Sequence, residues 1–124
     1  MEEERDERRR DESFPRKYRL GGNRNYRYVY RRGKSTPSRS LVLIHLKGRE
    51  QRFGFSVSGK VGNAVTRNRI RRYLREDIRR MRAQLKSGKY VVIARPGIVD
   101  LSHEALTREL HRALARANLV KEES

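Results

Sequence analysis

The stretch KVGNAVTRNRIRRYLREDIRRM, residues 60–81, decides the fold, because it joins a helix start signal to a long amphipathic pattern. Asn63 stands at the position of an N-cap residue, directly after Gly62. Apolar side chains then recur at helical spacing and continue beyond the quoted stretch: Ile70, Tyr73, Leu74, Ile78, Met81 and Leu85. This pattern predicts a long helix that ends at Ser87 and Gly88 and buries one face.

The other faces of this helix are almost entirely arginine: Arg67, Arg69, Arg71, Arg72, Arg75, Arg79, Arg80 and Arg82. Like charges at helical spacing cost about 0.2–0.5 kcal/mol per pair, and only Glu76 and Asp77 offset them. A solvated face is the usual fate of a charge run. Here a phosphate backbone explains the pattern better, because guanidinium groups make bidentate bonds to phosphate oxygens and release counterions. The neutral amide of Asn68 suits a sugar, a base edge or a hydrated metal ion.

Shorter predicted elements flank the long helix. They are a helix capped by Asn23 and ended by Gly33, strands at 41–46 and 53–57, a strand at 90–94, and a last helix capped by Ser102. The continuous apolar run at 90–94 is typical of a strand covered on both faces. Residues 34–39 are predicted to form a loop and residues 47–51 a hairpin turn. The order helix, strand, strand, helix, strand, helix predicts an α+β sandwich, a small central sheet with helices packed on it.

Composition limits the class of partner. The chain has 124 residues, enough for one compact domain, and a formal net charge of +17. Such a charge favours a polyanionic partner. The longest apolar runs fall far short of the roughly 20 residues that cross a bilayer, so no membrane partner is expected. The absence of cysteine fits a reducing compartment, and we expect a cytoplasmic location.

The N-terminal segment differs from the rest. Residues 1–13 hold seven acids and four arginines, whereas the remaining chain holds eight acids and 28 basic residues. Mixed charge without apolar residues cannot bury enough surface to become ordered. We therefore predict a disordered tail over residues 1–16 and a single RNA-binding domain over residues 17–120.

Two tyrosines on the first predicted helix form a second feature. Tyr26 and Tyr30 lie four residues apart and therefore share a face, whereas Tyr28 points elsewhere. Aromatic pairs at this spacing are usually part of a core. They also form stacking surfaces for unpaired bases, worth about 1–3 kcal/mol per base. Spacing alone leaves both interpretations open.

The sequence has no pattern typical of a catalytic or metal site. A metal-dependent nuclease needs clustered carboxylates, but Glu76 and Asp77 point about 100° apart on a helix. The three histidines lack a further ligand nearby, and no P-loop is present. We expect no catalytic residue, no metal bound by the protein alone and no small-molecule substrate.

Four segments resemble the protein component of bacterial ribonuclease P and occur in that family's order. They are NRNYRYVYRRGKS (23–35), FGFSVSGKVGNAV (53–65), VGNAVTRNRIRRYLRE (61–76), which contains the RNR signature, and GKYVVIARPG (88–97). The resemblance implies a ribonucleoprotein that removes the 5′ leader of precursor tRNA, in which the RNA subunit, with Mg²⁺, performs the hydrolysis. The implied partners are that RNA subunit and precursor tRNA. The implied fold has a mixed sheet with a left-handed crossover, which is the rare hand.

The resemblance also assigns residues by position. The RNA-binding set is Lys60, Asn63, Arg67, Asn68, Arg69, Arg71, Arg72 and Arg75. The set for the cleft that takes the single-stranded leader is Tyr26, Tyr30, Phe55, Arg67 and Asn68. Two positions depart from the family pattern: Gly59 replaces a basic residue, and aliphatic Ile44 falls near a position that is often aromatic.

Other functions use similar sequences. A ribosomal protein or a basic regulator of structured RNA would need the same charge, but not the same order of motifs. Sequence-specific DNA binding is less favoured, because a helix so uniformly arginine has few residues that read base edges.

Overall fold

The computed structural model of the chain describes residues 14–122, which form three helices and a four-stranded sheet. The helices are α1 (Asn23–Arg32), α2 (Ala64–Met81) and α3 (His103–Arg116). The strands are β1 (Lys34–Pro37), β2 (Leu41–Leu46), β3 (Gln51–Ser56) and β4 (Gly88–Ala94). Short 3-10 helices occur at Arg16–Tyr18, Arg82–Gln84 and Pro96–Asp100. The predicted α+β sandwich is confirmed.

The sheet has the order β1-β2-β4-β3, so that β4 lies between β2 and β3. The predicted hairpin at residues 47–51 is therefore wrong, because the two strands that it joins do not pair. β4 pairs antiparallel with β2 and parallel with β3. Its residues Tyr90, Val91 and Val92 are fully buried, which confirms the prediction of a strand covered on both faces. The parallel pair requires a crossover through α2, and the hand of that crossover stays a prediction.

β1 corrects a second prediction, because the sequence predicts a loop over residues 34–39 and its first four residues form a strand. The segment pairs antiparallel with β2, from Lys34 opposite His45 to Pro37 opposite Val42. An edge strand pairs on one side only, so it needs no apolar alternation and tolerates proline. Glu109 on α3 holds the following turn, because its carboxylate accepts hydrogen bonds from the Ser38 hydroxyl (2.8 Å) and the Ser40 amide (2.9 Å).

The sheet buries both of its faces. On one face Leu43, Phe53 and Tyr90 pack against the apolar stripes of α2 and α3. On the other face α1 covers a smaller cluster, which comprises Leu20, Val29, Ile44 and Val91. Alternate residues of β2 and β4 belong to the two clusters, as the period of a strand requires. The sheet therefore separates α1 from the arginine-bearing α2.

The ordered domain starts earlier than predicted. Phe14 was assigned to the tail, but its side chain is 1% exposed and packs edge-on against Phe53 and Phe55, at centroid distances of 6.1 and 6.0 Å. One aromatic ring can be buried without a surrounding apolar pattern, so local composition gave no signal. The rest of the predicted tail, residues 1–13, lies outside the described residues.

Two of the three predicted helix caps are confirmed. Asn63 accepts a hydrogen bond from the Thr66 amide (2.9 Å), and Ser102 accepts one from the Ala105 amide (3.1 Å). Asn23 is instead the first residue of α1, and Gly22, at φ +80°, takes the cap position. Glycine adopts this backbone conformation without strain. None of the helices described between residues 14 and 122 is long and apolar enough to cross a membrane.

A buried carboxylate joins α2 to α3. Asp77 is 2% exposed, and its Oδ1 lies 2.9 Å from Nε2 of His103 and accepts a hydrogen bond from the Thr107 hydroxyl (2.8 Å). The His103 ring stacks on Tyr73 at 4.2 Å. Burial raises the pKa of the Asp77 carboxyl above its ordinary value. The contact fixes how α2 lies against α3.

Asp77→Asn should change how stability depends on pH. Because the folded pKa is raised, the folded state holds the Asp77 proton more tightly, so ionisation destabilises the fold as pH rises above the ordinary aspartate pKa. Relative to Asp77→Asn, the wild-type free energy of unfolding should fall as the pH is raised from about 4 toward neutrality, by at most about 1.4 kcal/mol per pH unit. Urea unfolding across this range measures it. Glu104→Gln, which removes an exposed carboxylate, is the control. Parallel curves for wild type and Asp77→Asn would contradict the assignment.

Candidate nucleic-acid interface

A cleft of about 430 Å³ lies between α1 and the edge strand β3, and we call it the tyrosine cleft. Its lining consists of Asn23, Tyr26, Arg27, Tyr30, Phe55 and Ser56. Three of the five residues predicted for a leader cleft, Tyr26, Tyr30 and Phe55, are thus brought together. Ile44 is absent from the lining because it is buried beneath α1.

Tyr26 is seated by a glycine of β3. A Cβ atom at Gly54 would lie 2.6 Å from the Tyr26 ring, so only glycine lets the ring rest on the strand. The Tyr26 hydroxyl accepts a hydrogen bond from the Phe55 amide at 3.2 Å. Burial raises the pKa of this phenol. Tyr26 therefore forms the neutral, fixed floor of the cleft.

Tyr30 presents its ring to solvent. It is 41% exposed and packs edge-on against Tyr26, with ring centroids 6.3 Å apart. Each of the two interpretations, core packing and base stacking, therefore applies to one member of the tyrosine pair. Tyr26 is largely a packing residue, whereas Tyr30 has a free surface on which a planar group can stack. Tyr28 lies elsewhere, 5.9 Å from the ammonium group of Lys89.

A smaller recess of about 120 Å³, the inner recess, connects the tyrosine cleft to α2. It shares Tyr26 and Phe55 with the cleft and adds residues from the N-terminal segment, β3 and α2: Phe14, Arg19, Leu20, Phe53, Arg71 and Arg75. Among residues 14–122, no carboxylate lines either cavity. Aromatic and cationic side chains therefore share one continuous surface, which suits a nucleic acid with exposed bases and phosphates.

Asn68 holds Arg71 in place. The Arg71 guanidinium donates to Oδ1 of Asn68 (3.0 Å) and to the carbonyl of Val57 (3.2 Å). Sequence reasoning placed Asn68 among the contact residues but missed this intramolecular use of its oxygen. A guanidinium restrained in advance loses less conformational entropy on binding a phosphate.

The remaining predicted contact residues differ in accessibility. Arg69 and Arg72 are exposed on α2, and Lys60 is exposed in the turn before it. Arg67 is partly buried, with its Nε making no hydrogen bond among the described residues. Asn63 uses its side-chain oxygen as the helix cap. Arg67 and Asn68 lie on the turn of α2 before Arg71 and line neither cavity.

Within residues 14–122, a metal-ligating cluster or a pair of carboxylates would have to come from the acids and histidines. Within residues 14–122, no three His, Asp or Glu side chains are close enough to hold a metal ion. Glu76 pairs with Arg80 at 2.7 Å, and Asp77 is buried against α3. These two acids do not form a carboxylate pair at the interface.

Comparison with known proteins gives one consistent result. The family model described as Ribonuclease P matches residues 14–118. Ribonuclease P protein components from two Streptococcus pyogenes strains are 40% identical over 106 residues, which is 84% of this chain and 89% of theirs. The solved RNase P protein of Staphylococcus aureus has a TM-score of 0.80 at 30% identity and covers 84% of this chain and 98% of its own. That of Thermotoga maritima has a TM-score of 0.72 at 28% identity, with 79% and 96% covered.

Gly54→Ala should displace Tyr26 from the sheet. The added Cβ would occupy the position of the ring, so the ring must tilt and lose its hydrogen bond to Phe55, at a cost of about 1 kcal/mol. The phenol pKa should then fall toward its ordinary value, which NMR titration of the Tyr26 Cζ signal measures. Gly59→Ala is the matched control, because nothing lies within 4 Å of its Cβ position. An unchanged Tyr26 titration in Gly54→Ala would contradict the seating.

Proposed function

The chain belongs to the ribonuclease P protein family, and from this premise we propose that it binds the catalytic RNA subunit and the 5′ leader of precursor tRNA. The observation that carries the proposal is the continuous surface of the tyrosine cleft and the inner recess, which joins the exposed ring of Tyr30 to the arginines of α2. A 5′ leader needs both features, because it is a single strand with unstacked bases and a charged backbone.

In this proposal the tyrosine cleft takes the leader. A base stacks on the exposed ring of Tyr30, with Tyr26 as the floor of the cleft and Phe55 as its apolar wall. Arg27 at the rim and Arg71 in the inner recess bind the flanking phosphates. Stacking accepts any base, so the cleft binds leaders of different sequence.

The exposed side of α2 binds the RNA subunit. Arg69 and Arg72 point away from the core and reach a second backbone while the leader lies in the cleft. Lys60 extends this surface at the start of the helix. The protein thus holds the leader against the RNA subunit and positions the scissile phosphodiester bond in the RNA active site, an effect of proximity and orientation.

Hydrolysis belongs to the RNA subunit in this proposal, with Mg²⁺ bound there. This chain contributes no catalytic residue, and the two carboxylates of α2, Glu76 and Asp77, already have structural partners. Its cations lower the repulsion between two RNA molecules, which reduces the Mg²⁺ concentration that cleavage requires. We place the complex in the cytoplasm.

The direct test is cleavage of a 5′-extended precursor tRNA by a bacterial ribonuclease P RNA at low Mg²⁺, with and without this protein. We expect cleavage at the mature 5′ end only when both are present. Failure with several RNA subunits despite a folded protein would favour a general RNA-binding role. Cleavage by the protein alone would reveal a catalytic site in the chain.

Tyr30→Ala should weaken binding of precursor tRNA to the holoenzyme and spare mature tRNA, which lacks a leader. Loss of one stacked base corresponds to about 1–3 kcal/mol, or roughly five- to 150-fold in Kd. Tyr30→Phe retains the ring and should bind almost normally. Filter binding with both tRNA forms measures the difference. Equal loss for precursor and mature tRNA would exclude a role in leader stacking.

Arg69→Gln combined with Arg72→Gln should weaken binding to the RNA subunit and make it less dependent on salt. Each lost phosphate contact lowers the slope of log K against log salt by about 0.7–0.9. The control is Arg108→Gln combined with Arg112→Gln, which removes the same charge from the exposed face of α3. If both double variants lose the same slope, net charge rather than the α2 surface governs binding.

A further inference from the structure

A third and larger cavity, of about 970 Å³, lies at the opposite end of the sheet from the start of α2. It opens where β2 ends at Leu46 and β4 begins at Gly88. α2 begins at the other end, because it follows the last residue of β3, and β3 runs parallel to β4. We call this feature the basic cavity. None of its described lining residues also lines the tyrosine cleft or the inner recess.

Five cationic side chains from separate parts of the chain converge on the basic cavity: Arg32, Lys34, Lys47, Lys86 and Lys121. Within residues 14–122, no carboxylate lines the cavity and no ion pair involves any of these five side chains. The ammonium group of Lys121 makes one long hydrogen bond, 3.4 Å to the carbonyl of Ala83. Like charges gathered around one cavity repel each other and destabilise the folded state. A bound anionic ligand would offset this repulsion.

The wall of the cavity is built to a fixed shape. The ring of His45 lies 4.6 Å from Tyr90, and its Nε2 is 2.9 Å from the carbonyl oxygen of Ser87. Gly88 has φ +124°, and a Cβ there would lie 2.4 Å from Nε2 of His45. Burial lowers the pKa of His45, so the ring is neutral near pH 7. With Leu46 it provides apolar surface among the cations, to which a base can pack.

We propose that the basic cavity is a second RNA site, which binds the backbone phosphates of a short single-stranded segment. The inference rests on the proposed function in one respect, namely that RNA is the polyanion that the protein encounters. The cavity is near the upper end of the range of about 300–1,000 Å³ for small-ligand pockets, so it can take a few nucleotides. Cations spread around its rim suit successive phosphates better than one compact anion.

Helix α1 connects the basic cavity to the tyrosine cleft. Tyr30 lines the cleft and Arg32 the cavity, at the C-terminal end of one helix about 15 Å long. Arg24, Arg27 and Arg31 are exposed along that helix. A leader that leaves the cleft can follow this basic path into the cavity. The RNA subunit is the alternative source of the same phosphodiester backbone.

The test compares Lys47→Gln combined with Lys86→Gln against wild type, with the Arg108→Gln and Arg112→Gln pair as the charge-matched control. The full-length protein is first titrated with a uridine hexanucleotide and, separately, with uridine monophosphate. We expect NMR shifts at the amides of Ser87 and Gly88, tighter binding of the hexamer than of the mononucleotide, and about tenfold weaker hexamer binding at these amides in the Lys47 and Lys86 variant. The variant should unfold at the same or a higher temperature, because it loses charge repulsion.

Holoenzyme assays then identify the source of the strand. A loss confined to precursors with long leaders assigns the cavity to the distal leader, and a loss of RNA-subunit affinity assigns it to that subunit. The proposal is overturned if the hexamer leaves Ser87 and Gly88 unshifted, binds no tighter than the mononucleotide, or is unaffected by the two substitutions. Hexamer binding is read without any cleavage, so a failure of this site is distinguishable from a failure of the ribonuclease P role.

Discussion

The parallel pairing of β3 with β4 is the constraint on which the rest of the structure depends. Adjacent parallel strands cannot be joined by a tight turn, so the chain must travel back along the sheet between Ser56 and Gly88. Helix α2 forms this connection. Because the helix must lie along the sheet, its apolar stripe is buried and its arginines face outward. The pairing also leaves the other side of β3 at the sheet edge, where Gly54 meets Tyr26 of α1. The tyrosine cleft and the arginine-bearing surface of α2 therefore both follow from one strand pairing.

The positions of the two acids on α2 determine the charge of the proposed interface. Asp77 lies on the α2 face that packs on α3, where an imidazole and a hydroxyl satisfy one of its oxygens. Glu76 is paired with Arg80, one turn further along the helix. The part of α2 that borders the inner recess presents two arginines, Arg71 and Arg75. The two acids of α2 thus make contacts within the protein, while Arg71 and Arg75 border the surface where phosphates would bind.

Local features could be predicted from the sequence, and features that depend on distant contacts could not. The Asn63 cap, the apolar stripe of α2 and the shared face of Tyr26 and Tyr30 each need only a few neighbouring residues. The position of β4 between β2 and β3 reflects burial of its two faces, which outweighs the local preference for a hairpin. Phe14 in the core and Gly54 beneath Tyr26 depend on partners far along the chain. Composition and residue spacing do not predict such contacts.

The two basic regions use different cations, and the difference bears on what each can recognise. The α2 surface is built from arginines, one of which is held by Asn68 and the Val57 carbonyl, so its planar donors have a set direction. The basic cavity is built mainly from lysines, whose ammonium groups are point charges on flexible stems. A guanidinium group held in this way favours one position for the phosphate that it binds. Flexible ammonium groups accept phosphates at variable positions, as an unstructured strand presents. The choice of cation therefore agrees with a shape-selective contact at α2 and a permissive one at the far end of the sheet.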